Sequence, residues 1–388
     1  MNSNLPTHPI LSFDFNTFME HGSMMSREHV LLRLAKNHLI IHSTPPSGRE
    51  VAPKNGGLTK IAENLYHYTN PRILPKLYRP QFLVRLVDRL RSVHRRRVLT
   101  KLGGKSLPIL YIWHPEFAPE IDRYDRALTV YHIYDDYPTL NGIHPELEEK
   151  ELTLLKKADL VFVINKSLID KKRKLVDREY IHLPQAVDFE LFELTRKSKA
   201  HAPTDISRIK TPRLGYIGRI NEKVDLDLTL KLALKRRDWS FVFVGPVNST
   251  PSISDLISRL KERPNVHFLG TKEFSQIANY WNCIDVAIVP YRVEPGQWAH
   301  FGSPLKLREA FAAGKPVVST PLSDVQEFEG LALTASTVSE WEARIEESLA
   351  RREDTALKAK MLDLARQNSW TARTEMISRI IQERIETL

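Results

Sequence analysis

Short apolar runs alternate with longer amphipathic stretches along most of this chain, the pattern of an α/β protein with parallel sheets. Runs at Ile10–Phe15, Leu39–His42, Leu107–Trp113, Leu128–Tyr134 and Leu160–Ile164 read as strands, with a weaker one at Tyr180–Leu183. Between the first two, Ser26 stands where an N-cap belongs, and Val30, Leu31, Leu34 and Ala35 fall on one helical face. A second helix is predicted over Pro145–Lys157. From Thr195 to Pro212 the periodicity lapses into polar and charged sequence, which reads as a linker. A second α/β series then begins. Its strands are predicted at Arg213–Ile217, Ser240–Val244, Val266–Phe268, Val286–Val289 and Val317–Ser319. Its helices are predicted at Leu226–Arg237, Ile253–Arg263, Phe274–Asn282 and Leu305–Ala313. The tail from Thr337 reads as helix to the end, broken once at Asn368-Ser369.

This pattern predicts two Rossmann-like, doubly wound domains of similar size, 1–195 and 205–365, followed by a helical segment 366–388. Open parallel sheets bind ligands beyond the carboxyl ends of their strands, so two such domains facing an interdomain cleft suit a two-substrate transferase. The length agrees: 388 residues exceed what one core usually serves. No stretch approaches the ~18 apolar residues of a membrane span. The lone cysteine, Cys283, excludes an intramolecular disulfide framework and a Cys-based zinc site. The first residues lack a basic segment followed by a long apolar one, so a cytoplasmic location is expected.

The net charge of +10 changes the picture because it is concentrated. From Arg79 to Lys105 there are nine Lys/Arg and one acid, Asp88, a local charge of +8. Within Gln81–Leu102, Phe82, Leu83, Leu86, Val87, Leu90 and Val93 recur at helical spacing, with Arg85, Arg89, Arg91, Arg95, Arg96, Arg97 and Lys101 on the flanks and far end. Such a basic amphipathic helix predicts contact with an anionic membrane surface through Arg85, Arg89, Arg95, Arg96, Arg97 and Lys101. The alternative is that its apolar face is ordinary core and its arginines are solvated. Nucleic acid is not expected as a partner, since no helix-turn-helix, zinc-finger or RNA-stacking motif accompanies the cluster.

The chemistry concentrates in Val289–Thr320, which reads as strand, long loop, helix, glycine stop and strand. Ser303 as cap and Pro304 in the first turn leave free N–H groups that attract phosphate. Lys306 and Glu309, one turn apart, form either a solvated pair or a clamp, cation to diphosphate and carboxylate to ribose. In the first half, His114 falls at the end of a strand, in Trp113-His114-Pro115-Glu116. Asp135 and Asp136 end another, placed either to orient an acceptor hydroxyl or act as base, or to cap the turn before Pro138. Asp225-Leu226-Asp227 precedes a helix and reads as its cap rather than as a metal site. No His-Glu-x-x-His pairing, phosphate-binding P-loop or dinucleotide fingerprint is present, so no metal and no resident cofactor is expected.

Together these segments resemble the GT-B glycosyltransferases, particularly the large family 4 type, and among them the bacterial envelope and exopolysaccharide enzymes of the teichuronic-acid kind. Tyr216-Ile217-Gly218-Arg219 with Lys223 resembles the family's G-R…K turn, and Leu183–Asp188 with Phe192 its P-N-G-V-D…F segment. Asn265–Gly270 resembles N-V-x-F-L-G, Glu309 through Val318 the helical Glu and A-x-G-x-P-V-V, and Asn368-Ser369-Trp370 the segment before a final helix that crosses back to the first domain. The resemblance implies that Gly218, Arg219, Lys223, Ser303, Pro304, Lys306 and Glu309 hold a nucleotide-sugar donor. Arg219 and Lys223 would neutralise its diphosphate and Glu309 would hold its ribose. It implies His114 near the donor sugar, an N-terminal domain for a lipid-linked glycan acceptor, and retention of anomeric configuration without a metal. One departure stands out: Phe301 occupies the position of the first Glu in the family's Glu-x7-Glu motif. Two rival readings are a nucleotide-sugar epimerase on the same fold and a non-catalytic scaffold.

Overall fold

A computed structural model describes residues 8–15, 18, 24–45, 57–71, 73–74, 80–139, 142, 144–198, 202–293, 304–322, 325, 328 and 330–388. They divide into two compact units, Met1–Pro184 with Thr374–Leu388, and Gln185–Arg373. The division falls before the polar stretch that the sequence marks as a linker.

The first unit is built on an eight-stranded sheet. Its strands are β1 (Ile10–Phe13), β2 (Ile40–Thr44), β3 (Gly57–Ala62), β4 (Leu65–Thr69), β5 (Ile109–Ile112), β6 (Leu128–Ile133), β7 (Leu160–Val163) and β8 (Ile181–His182). They lie in the order β3-β4-β2-β1-β5-β6-β7-β8, all parallel except the β3–β4 pair. The central strands are buried along their whole length, as a sheet covered on both faces requires. The helices used below are α1 (Ser26–Leu34), α2 (Gln81–Lys101), α3 (Pro145–Lys157) and α4 (Lys166–Arg173). Pro145 opens α3 in its first turn, and the Asn165 side chain caps α4 by accepting from Leu168 N–H at 2.7 Å. The β3–β4 hairpin and α4 are absent from the sequence reading. The hairpin's turn is made by Asn64 in the left-handed region (φ 59°), and β3 is an exposed edge strand without an apolar run.

The second unit carries six parallel strands, β9 (Arg213–Ile217), β10 (Ser240–Val244), β11 (Val266–Phe268), β12 (Val286–Val289), β13 (Val317–Ser319) and β14 (Ala332–Thr334), in the order β11-β10-β9-β12-β13-β14. That is the 3-2-1-4-5-6 order of a dinucleotide-binding fold. Its helices are α5 (Phe189–Ser198), α6 (Thr204–Ser207), α7 (Leu226–Lys235), α8 (Ser254–Lys261), α9 (Ile277–Asn282), α10 (Leu305–Ala312), α11 (Val338–Ala350), α12 (Thr355–Gln367) and the start of α13 (Trp370–Thr387). Two segments differ from expectation. The stretch read as linker holds the end of α5 and the turn α6, whose Ile206 is fully buried. The C-terminal tail breaks twice, because Asp354 caps α12 by accepting from Ala356 and Leu357 N–H, and the chain turns again at Asn368-Ser369. Residues 374–387 of α13, with Leu388, group with the first unit. No helix among the described residues is long and apolar enough to cross a membrane.

Candidate functional site

Each sheet reverses its strand order once, between β1 and β5 in the first unit and between β9 and β12 in the second. Such reversals open a crevice at the carboxyl ends of the strands, and ligands bind there. The sequence-predicted residues collect at both points.

In the second unit, β9 ends in Gly218 and β12 runs through Pro290 into Tyr291. Gly218 has φ 144°, and its N–H donates to the Val244 carbonyl at 2.8 Å. The neighbouring strand end repeats the device. A Cβ on Gly245 (φ 137°) would stand 2.3 Å from the Gly218 carbonyl oxygen, so the two turns approach at backbone distance. Lys306 reaches across this turn: a Cβ on Gly218 would meet its Cε at 3.1 Å and its Nζ at 3.2 Å. The ammonium donates to the Tyr291 hydroxyl and lies 4.9 Å from the Tyr216 ring centroid and 5.0 Å from that of Tyr291. The Tyr216 ring is within cation–π range of the ammonium, while Tyr291 holds it through its hydroxyl. Tyr216 is itself buried, its hydroxyl donating to the Arg219 carbonyl at 2.9 Å, which ties the Gly218-Arg219 turn to the strand beneath it.

Arg219 and Lys223 are exposed on that loop. Pro304 sits at the N-cap position of α10 rather than in its first turn, because its backbone is extended (φ −67°, ψ 118°) and the helix begins at Leu305. Ser303 and Phe301 lie outside the described residues. Lys306 and Glu309 are one turn apart but make no salt bridge; each has its own partner. The Glu309 carboxylate accepts from the Trp281 indole N–H at 3.0 Å, and Trp281 is fully buried. Burial pushes the Glu309 carboxyl above the ordinary carboxylate range, against the opposing pull of the indole and of Lys306. Tyr216, Tyr291 and Trp281 are therefore contacts of Lys306 and Glu309 absent from the sequence-based site. Their one signal was an aromatic at the end of a strand or helix, which is also what a core requires. Asp225 caps α7 by accepting from Leu228 N–H at 2.9 Å, and Asp227 pairs with Lys231, as expected of helix residues.

At the first unit's reversal point the residues are of another kind. Trp113 is buried with its indole donating to Ser12 at 2.9 Å, and His114 follows it on the way into a 3-10 helix, Pro115–Arg123. His114 Nδ1 accepts from Glu116 N–H at 3.2 Å, which leaves the neutral ring's proton on Nε2. Its ring meets Phe15 edge-on at 4.8 Å, and Tyr137 at 4.5 Å. Burial lowers the His114 pKa to about 4, outweighing the opposite pull of Glu116, so the ring is neutral at pH 7. Burial first, then the charges of Asp14 and Asp135, hold the Tyr137 phenol well above its usual range, against the pull of Arg27, which pairs with Asp14 at 2.7 Å.

Asp136 has a different fate from Asp135. Its carboxylate accepts from Lys172 at 2.7 Å and from Lys171 and Thr139, and Lys172 in turn donates to the buried Glu151 at 2.6 Å. Burial alone would raise the Asp136 pKa, but these donors hold it down at about 2. A carboxylate so satisfied anchors the β6 turn to α4 and is too weak a base for proton abstraction. The expected role of Asp136 as base is corrected accordingly.

The basic helix also needs correction. Arg95 is buried: it donates to Tyr124 at 2.8 Å, to Glu120 at 2.8 Å and to Ser43 at 3.3 Å. Around it, Arg123 bridges Glu120 and Asp88, each at 2.6 Å, and Arg91 pairs with Asp88 at 2.9 Å. Arg95 is thus a buried tie inside the unit, not a surface cation. Arg96 is half-buried and donates to the Ser106 carbonyl at 3.0 Å. Arg85, Arg89, Arg97 and Lys101 are exposed as expected.

Two parallel-sheet units of this topology define the GT-B class of fold. Residues 211–351 match the family model described as "Glycosyl transferases group 1". The chain is 34% identical over 183 residues to a Bacillus subtilis (strain 168) protein named "Putative teichuronic acid biosynthesis glycosyltransferase TuaH". That similarity takes in 45% of this chain and 44% of the relative, less than half of either. Among solved structures, sucrose-phosphate synthase from Thermosynechococcus elongatus aligns with a TM-score of 0.68 at 14% identity, over 98% of this chain and all of the other. Anabaena HepE in complex with UDP-glucose aligns with a TM-score of 0.63 at 14% identity, over 97% of this chain and 99% of the other. At that identity the structural likeness establishes the fold. The resemblance to envelope-type GT-B glycosyltransferases read from the motifs is thus supported in sequence over part of the chain and in fold over nearly all of it.

Proposed function

We propose that the protein is a glycosyltransferase of bacterial envelope or exopolysaccharide synthesis that takes its sugar from a UDP- or GDP-sugar. The observation that carries this reading is Lys306. It is a cation beside the Tyr216 ring, bonded to the Tyr291 hydroxyl and close over the Gly218 turn, with Glu309 one helical turn further on. The diphosphate lies against Lys306, Arg219 and Lys223, and the ribose hydroxyls meet Glu309. The described residues contain no group of three or more His, Cys, Asp or Glu side chains placed to hold a metal, and these three cations supply the positive charge in this reading.

In the reaction an acceptor hydroxyl oxygen bonds to the anomeric carbon of the sugar. The bond from that carbon to the diphosphate oxygen breaks, and its electron pair leaves with the nucleoside diphosphate. The acceptor proton passes to the departing phosphate oxygen, on the same face, which retains the anomeric configuration. Cations fixed beforehand around that oxygen lower the barrier because they need no rearrangement as charge develops. The neutral His114, donating from Nε2, and Asp135 orient the hydroxyls of the sugar or of a lipid-linked or polysaccharide acceptor. UDP-glucose in the Anabaena relative and the name of the Bacillus relative support the donor and the pathway class.

The test is incubation with a panel of UDP- and GDP-sugars and a lipid-linked acceptor extract, read by mass spectrometry. Acceptor gaining one sugar as nucleoside diphosphate is released supports the proposal. An epimerised donor in the absence of acceptor points instead to the epimerase, and no donor turnover with no donor binding to the scaffold.

A further inference from the structure

In a helix of a soluble domain the apolar stripe faces the core and the charged side faces water. In α2 the reverse holds. The side that faces the unit carries Asp88, Arg91, Ser92 and Arg95, of which Arg91, Ser92 and Arg95 are buried, along with Leu99. It is held by the ion-pair and hydrogen-bond ties to Glu120, Arg123, Tyr124 and Ser43 described above. The outward side carries Phe82, Leu83, Leu86, Leu90 and Val93, exposed to 69%, 36%, 53%, 46% and 41%. Their spacing of three and four residues makes one continuous stripe, about 16 Å long at 1.5 Å per residue. Scattered exposed apolar residues are ordinary, but a continuous stripe on a helix whose polar side has been taken inward is not.

The flanks say what covers it. Arg85 and Arg89 lie along one edge, and Arg97 and Lys101 extend the stripe toward the helix end, all exposed. The only acid of the helix, Asp88, is turned inward into its pairs with Arg91 and Arg123. A second copy docked here about a two-fold axis would bring these cations against each other. A strip ~16 Å long and one helix wide (~10 Å) also falls well short of the ~800 Å2 per partner of a stable interface. An apolar stripe edged only by cations matches a surface that is apolar beneath and negative on top.

We propose that α2 is an interfacial membrane helix, which seats Phe82, Leu83, Leu86, Leu90 and Val93 among the acyl chains of an anionic bilayer and sets Arg85, Arg89, Arg97 and Lys101 at its headgroups. The polar side of α2 is already committed to the interior, so seating the stripe needs no rearrangement of the helix. The arginine cluster at Arg95 and Arg96 is not the docking element; it fixes the helix to its unit. This surface does not depend on the transfer reaction.

The test is flotation of the full-length protein with phosphatidylcholine vesicles with and without phosphatidylglycerol. Binding to the phosphatidylglycerol vesicles alone is expected, weakened but not abolished by salt, since the apolar part is not screened. Leu86→Ser with Leu90→Ser should cut vesicle partitioning about tenfold, with thermal unfolding and nucleoside diphosphate binding unchanged. Unchanged donor binding there separates failure of this surface from failure of the proposed reaction. Arg89→Glu, a single exposed change, should weaken binding to anionic vesicles by about fivefold. Absence of wild-type binding to phosphatidylglycerol vesicles overturns the proposal, as does equal partitioning of the Leu86/Leu90 variant. It is overturned equally by a dimer in light scattering that the same variant dissolves, or by binding that nucleic acid competes away.

Discussion

The two reversal points share a backbone plan and differ in chemistry. In the second unit, glycine turns at Gly218 and Gly245 pack at backbone distance beyond the strands, and Lys306 reaches across the first of them. In the first unit the equivalent position is filled by rings, Phe15, His114 and Tyr137, and the nearby Asp14 is paired with Arg27. A glycine turn with a steadied cation suits a diphosphate. Rings with a neutral imidazole that donates from Nε2 suit a hydroxylated ligand. One architecture used twice thus separates charge neutralisation from hydroxyl positioning, and each half is testable without the other.

The largest expected effect breaks the second half. Lys306→Ala removes the cation over Gly218 and is expected to weaken nucleoside diphosphate binding about 100-fold, measured by calorimetry, with the circular dichroism spectrum intact. In contrast, His114→Asn should leave that affinity within about twofold while lowering the transfer rate about tenfold or more. Equal damage to donor binding by both variants would erase the distinction between the units. Gly245→Ala tests the backbone plan: a Cβ 2.3 Å from the Gly218 carbonyl, at φ 137°, should cost about 2 kcal/mol or more and lower the melting temperature.

Acid acts on the first unit through its buried titratable groups. The His114 pKa is lowered from 6.5 to about 4, chiefly by burial, and that of the buried His29 to about 3, by burial and Arg33. Between those values and 6.5 the unfolded chain binds protons that the native one does not, so native stability falls as pH drops through that window. Asp136 has the opposite sign of group: its pKa is depressed from 3.8 to about 2, so its contribution is present above 3.8 and is lost only as pH falls toward 2. Thermal unfolding from pH 7 to 4.5 should therefore lose stability, and His114→Asn should flatten that loss. The smallest effect is the finest. Trp281→Phe keeps an aromatic ring and removes the indole donor to Glu309, and donor affinity should drop about fivefold, the worth of one ordinary hydrogen bond.

Much of this was legible in the sequence, for reasons that differ by region. Strands of the second unit were found within a residue or two because β9, β10 and β12 are buried almost throughout and, after Arg213 and Ser240, carry only apolar or aromatic residues. Two edge elements were missed: β3 is exposed and β14 is buried only at Ala332, so neither shows an apolar run. Lys306 and Glu309 were legible as charges one turn apart on a helix, and Gly218 through the resemblance of its turn to the family's. Of their holders, Tyr216 lies two residues before Gly218, while Tyr291 and Trp281 come from other segments that the fold of the unit brings to them. The basic helix teaches most. Its span and its stripe were read from periodicity, but periodicity carries no sign. Glu120, Arg123 and Tyr124, a segment away, decide that the polar side faces in, and they turn Arg95 from an expected surface cation into a buried one.

The turn at Gly218 with Lys306 is the proposed nucleoside diphosphate site. Calorimetric titration of the full-length protein with UDP and with GDP measures its occupancy. Saturable binding of at least one of them, with one site per chain, is expected. No binding of either at millimolar concentration would contradict that assignment.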